Sequence, residues 1–114
     1  MAIIRACSYS AEITMPEPLS SYSRVLVTFS QDQEIVAQKQ LEELEACSAG
    51  AIVTLSQAET KQFRPSEKSP MGAARGSDAY MQIRTYKEDG SATGSEYWRI
   101  PVLDSLDDRE LGNV

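Results

Sequence analysis

The chain contains no histidine. That absence removes the commonest general base, the commonest metal ligand and the usual partner of a serine or cysteine nucleophile. A Ser-His-Asp triad is impossible however many serines are present, and no Cys/His cluster with metal-ligand spacing exists. Cysteine is scarce: Cys7 and Cys47 are too few for a disulfide framework. Both are expected to be reduced, small core residues; a Cys7–Cys47 disulfide is the other reading and requires their Cα atoms within about 7 Å. Basic residues are in deficit, 11 against 17 acidic, for a formal charge of −6. Gripping a phosphate backbone needs clustered Lys and Arg, so no nucleic-acid partner is expected. An acidic balance suits a protein that resists non-specific association, or one that docks on a basic partner.

Long apolar runs are missing too. None approaches the ~18–20 residues of a membrane span. Arg5, then Ser8, Tyr9 and Ser10, interrupt the start before a signal-peptide core forms. The expectation is a chain made in the cytoplasm with no membrane partner. Gly72 and Gly76 precede no strand-to-helix step with a Lys-Ser/Thr, so they form no phosphate-cradling loop. Asp107 and Asp108 read as solvated charges of a tail, where a pKa is hard to perturb. No catalytic residue, metal site or cofactor is expected, and the chain reads as a non-enzyme.

What is present is a β pattern on 114 residues, enough for one domain with a core that needs no staples. Residues 1–23 read as an N-terminal arm or first strand followed by a linker, since Met15-Pro16-Glu17-Pro18 breaks any regular element. Residues 24–104 read as the folded domain, and 105–114 as an acidic tail. Within the domain, Val25, Val27 and Phe29 alternate with Leu26, Thr28 and Ser30 as a strand. Gln31-Asp32-Gln33 is a turn, and 34–41 is the return strand, with Ile35, Ala37 and Leu41 on one side. Residues 42–48 favour helix by propensity, yet the alternation of Glu43 and Glu45 with Leu44 and Ala46 favours a strand or irregular extension.

Ala51–Leu55 is a short apolar strand, and Ser56-Gln57-Ala58-Glu59 matches a capping box. That predicts one or two helical turns over 57–63, with Phe63 folded onto the core. Arg64–Asp78 follows as a fifteen-residue loop with Pro65, Pro70, Gly72 and Gly76. Loops this long contact something or move. Arg64, Lys68 and Arg75 make it a local basic feature: either a solvated loop or one that docks a neighbouring subunit. Ala79–Lys87 is a strand with Ala79, Met81, Ile83 and Thr85 on one face. Glu88-Asp89-Gly90-Ser91 is a turn, and Ser95–Leu103 is the final strand, with Pro101 pointing to an edge or bulge. Trp98 is expected as the core anchor. Tyr80, Tyr86 and Tyr97, on the opposite parity, make an aromatic strip suited to an interface.

This order of segments resembles small structural proteins of tailed bacteriophages and prophages, and the N-terminal modules of some baseplate and tail-fibre proteins. The residues that carry the likeness are Val53, Leu55, Ser56, Gln57, Glu59, Thr60 and Phe63, then Gln82, Ile83, Arg84, Asp89, Gly90, Ile100, Val102 and Leu103. The long Arg64–Asp78 loop and Pro101 depart from the pattern. The resemblance implies an all-β protein, an immunoglobulin-like antiparallel β-sandwich with one short helix and extended termini. It further implies a virion location at the tail, neck or baseplate, with other virion proteins and copies of itself as partners in a symmetric assembly. Arg64, Lys68, Arg75, Tyr80, Tyr86 and Tyr97 are the candidate interface residues. The alternative is a free-standing module that binds carbohydrate or protein through its tyrosine face.

Overall fold

The computed structural model describes residues 2–67, 76–95 and 97–105. In chain order the elements are β1 (Ile3–Ile4), β2 (Tyr9–Thr14), a 3-10 turn (Leu19–Ser21), β3 (Arg24–Gln31), β4 (Glu34–Gln40) and a second 3-10 turn (Leu41–Glu43). There follow β5 (Glu45–Cys47), β6 (Gly50–Leu55), α1 (Gln57–Thr60), β7 (Ala79–Tyr86), β8 (Ala92–Gly94), β9 (Trp98–Ile100) and β10 (Val102–Leu103).

One sheet has the order β2-β6-β5. The other has the order β4-β3-β7, with β8 and then β9 laid in succession along the far edge of β7. All of these pairings are antiparallel. The chain changes sheet after β2, after β4 and after β6. That strand order is the immunoglobulin-like sandwich, with β4 as the extra strand of the variable type. A short parallel pair, β1 with β10, closes one end of the side where β2 and β9 are the edges.

The sheets form where period-two alternation buries one face of the central strands. Val25, Val27 and Phe29 are fully buried, as are Val53 and Leu55 of the facing sheet, while Met81 and Ile83 of β7 join them. Phe29 sits edge-on between the rings of Tyr9 and Phe63, each with a centroid separation of 6.4 Å. Tyr9 comes from one sheet, Phe29 from the other and Phe63 from the segment after α1, so three aromatic rings join the layers. Gly50 permits the closest approach of β2 and β6: a Cβ there would lie 2.4 Å from the Ile13 carbonyl oxygen and 2.7 Å from the Met15 nitrogen.

The capping box forms as the sequence specifies. The Ser56 hydroxyl accepts from the Glu59 N–H at 3.2 Å, and the Glu59 carboxylate accepts from the Ser56 N–H at 2.9 Å. Burial pushes the Glu59 pKa up, but the hydrogen bonds from Lys39 and the Ser56 N–H outweigh it and hold the carboxyl below its ordinary range. The regular helix stops at Thr60, and one further turn brings Phe63 into the core.

Several expectations are corrected. Of the two readings of the N-terminal stretch, arm or first strand, the strand is the one seen: β1 and β2 belong to the sandwich, and Ile3, Tyr9 and Ile13 are in the core. Ile35 does not share a side with Ala37. The register slips by one between Phe29 and Ser30, so Phe29 faces Ala37 while Ser30 faces Ile35. This bulge at Val36 turns Ile35 outward, where it is 66% exposed. The segment 42–48 is divided between the 3-10 turn, which carries its own Gln40–Glu43 capping box, and β5. The stretch expected as one final strand from Ser95 is divided: β8 begins already at Ala92, β9 and β10 follow, and Pro101 is where the chain leaves β7 for β1. Trp98 stands opposite Met81 but at the sheet edge, and is exposed rather than a core anchor. The cysteines are free, but neither is in the core: Cys7 is exposed and Cys47 half-buried. The acidic segment from residue 106 onward lies outside the described residues.

Candidate functional site

The tip of the β3–β4 hairpin and the two ends of the 64–78 loop meet at one end of the sandwich. Gln31 continues the inward series of Val25, Val27 and Phe29, so its amide is buried at the margin of the core. It is fully used there. Its carbonyl oxygen accepts from the Arg64 N–H at 2.7 Å, and its NH2 donates to the Arg64 carbonyl at 2.6 Å and the Ser77 carbonyl at 2.9 Å. One side chain thus fastens the start and the end of the loop. The Gly76 N–H donates to the Pro65 carbonyl at 2.7 Å and closes the base.

Asp32 and Gln33 form the turn, both with positive φ, 53° and 69°. That conformation is unfavourable for a residue with a Cβ and is tolerated where surrounding contacts determine it. Those contacts are present. The Asp32 carboxylate accepts from the Ser77 N–H at 3.0 Å and from the Arg64 guanidinium. The Ser77 N–H, the Ser77 hydroxyl and Arg64 together hold the Asp32 carboxyl below the ordinary carboxylate range. At neutral pH it is a fixed anion, remote from the pKa that a general acid or base needs.

Tyr80 and Tyr97 stand beside this clamp. Their rings meet edge-to-face at a centroid separation of 6.2 Å, and Tyr97 is 69% exposed. Ser30, Asp32, Gln33, Ser77 and the two tyrosines line a shallow hollow of about 670 Å³. The arrangement presents a propped aromatic face next to an anion, an amide and a hydroxyl. Among the described residues no group of three or more His, Cys, Asp or Glu could hold a metal ion, and no helix is long and apolar enough to cross a membrane.

Of the residues singled out by sequence, Arg64, Tyr80 and Tyr97 come together here. Tyr86 does not: it lies six residues along β7 from Tyr80, about 20 Å away at ordinary strand rise. There the Arg24 and Arg84 guanidinium groups lie within 5.8 Å and 5.6 Å of its ring centroid. Lys68 and Arg75 fall outside the described residues. Gln31, Asp32, Gln33 and Ser77 were missed as site residues. A signal for Gln31 was available, since a polar side chain at an inward position of a strand must find buried partners. Nothing local connects Asp32 to Ser77, which is 45 residues away.

No protein-family model and no curated protein sequence matches the chain. Among solved structures the chain is similar to the V domain of amphioxus IgVJ-C2, at 9% identity and a TM-score of 0.40, over 90% of this chain and 99% of that one.

Proposed function

We propose that this protein is a non-enzymatic docking module, and that its setting is the virion of a tailed bacteriophage, present in several copies at the tail, neck or baseplate. The docking role is carried by one observation: a tyrosine ring left 69% exposed, held in place by a second tyrosine beside a rigidly clamped turn. Tyr and Trp on a stiff frame supply contact area at little entropic cost, which is why they anchor interfaces. The virion setting rests on the order of segments from Val53 to Leu103 and is a separate proposition.

Mass spectrometry of gradient-purified particles tests the setting, using the phage or induced prophage whose genome encodes the chain. The expected result is the chain at a fixed ratio to the tail proteins; its absence from particles overturns the setting. Incorporation of the Tyr97→Ala chain tests docking through this face, with a folded variant entering particles at an undiminished level as the contrary result.

A second reading is favoured by the polar groups around the rings. An exposed aromatic face with a carboxylate, an amide and a hydroxyl within one hollow also suits a sugar. Binding of the purified chain to a glycan array, lost on Tyr97→Ala, would select that reading.

A further inference from the structure

We propose that the cleft between the edge strands β2 and β9 accepts an added β-strand: an extended segment of another polypeptide, apolar at alternate positions and with a basic residue between them. β2 is the outer strand of its sheet, and among the described residues no strand pairs with its free side. Tyr9, Ala11 and Ile13 face Leu55, Val53 and Ala51, and the Met15 N–H bond to the Ala49 carbonyl, 3.0 Å, continues the same odd-numbered series. The alternation of an antiparallel ladder then turns the main-chain N–H and C=O groups of Ser10, Glu12 and Thr14 away from β6, into the cleft. These are the groups an incoming strand pairs with.

The opposite bank is β9, where Trp98 is 45% exposed. That ring lines two hollows. One, of about 490 Å³, runs from Tyr9 to Thr14 against Met81 and Ile100; the other, of about 330 Å³, is bounded by Ile13, Met15, Tyr22 and Ile83. Two hollows that share Ile13, Thr14 and Trp98 offer room for more than one inward side chain of an added strand, whose alternate residues point to one face.

One end of the cleft is already filled in this way. β1 lies extended and parallel to β10, with its Ile3 N–H donating to the Pro101 carbonyl at 2.9 Å. Its alternate residues divide as the proposal requires: Ile3 is fully buried and Ile4 is 42% exposed. An added segment continues that line past Trp98. A second copy of the chain is disfavoured as occupant, because two-fold pairing of β2 with itself sets the exposed Glu12 near its own copy, and like charges across strands repel. The same Glu12 favours a lysine or arginine opposite it. This surface is distinct from the tyrosine pair, and the inference does not depend on the virion setting.

The test is selection of a random dodecapeptide display library on the full chain. Expected are peptides with alternating apolar residues and a basic residue between them. Their binding shifts the emission of Trp98, the sole tryptophan, and slows amide exchange at Ser10, Glu12 and Thr14. Glu12→Pro removes an outward donor without touching the bonds to β6, and should weaken binding by about tenfold or more. Glu12→Lys, a surface change that does not burden the fold, should switch the preferred facing residue from basic to acidic. Failure to enrich any such peptide overturns the proposal. So does enrichment of peptides that leave Trp98 emission and the three amides unchanged, or a dimer of the chain itself that Glu12→Pro dissociates.

Discussion

Gln31 and Arg64 are hydrogen-bonded twice, side-chain amide to main-chain peptide, across 33 residues of sequence. Replacing Gln31 with Leu keeps the volume but leaves the Arg64 N–H and C=O and the Ser77 C=O without their partner. Each lost partner of a partly buried group costs about 1 kcal/mol or more, so the variant should be destabilised by about 2–3 kcal/mol. Urea unfolding of the two proteins measures this. A loss below about 0.5 kcal/mol would mean that the clamp contributes nothing to the fold.

The Asp32 carboxyl supplies a pH-dependent component of stability. Its pKa is lower in the folded than in the unfolded chain, so the folded state favours the ionised form. The contribution is complete above the ordinary carboxylate range and is lost as the pH falls through the depressed folded value. Comparing urea midpoints of the wild-type and Asp32→Asn proteins from neutral to acid pH should show a gap that closes on acidification. A constant gap would place the titration elsewhere.

The slip in register at Val36 gives two neighbouring hydrophobic residues opposite fates. Phe29→Ala empties the space between Tyr9 and Phe63 and should cost about 3–5 kcal/mol. Ile35→Thr, on the outer face, should change stability by no more than about 0.5 kcal/mol. Calorimetry of both variants tests the bulge, since an unbulged β4 would turn Ile35 inward and make its substitution costly.

Tyr97→Ala removes little buried area and should leave the melting temperature nearly unchanged. A ring at the centre of a docking face is worth 2 kcal/mol or more as a rough guide, which lowers affinity by about thirtyfold. Titration of the variant against the partner that binds the wild-type chain checks both halves of the expectation.

The capping box at Ser56–Glu59 and the buried parity of Val25, Val27 and Phe29 were legible because both are set by residues a few positions apart. The same holds for the Asp89-Gly90 turn and the inward face of β7. Ile35 was misplaced because a bulge depends on how β4 meets β3, and no local spacing records it. Trp98 has inward parity, but the width of the sheet beyond it decides whether that position is covered. Residues 3–14 could not be decided between an arm and a first strand because their pairings are long-range, β1 with β10 and β2 with β6. The candidate site was half legible. Aromatic composition marked Tyr80 and Tyr97, whereas the clamp at Gln31 and Asp32 exists only once the loop ends fold back upon the hairpin.

The parallel pairing of β1 with β10 has a mechanical consequence. Tension between the beginning and the end of the described chain acts along these two strands in opposite directions. The Ile3–Pro101 and Arg5–Leu103 main-chain bonds are therefore loaded together in shear, with the Arg5–Asp104 ion pair at 2.8 Å as a further link, rather than opened one at a time. Pulled by its ends, the domain resists as a lap joint does. Arg5→Ala, which removes the ion pair together with the side-chain bonds to the Phe63 and Lys61 carbonyls, should lower the unfolding force in an optical trap.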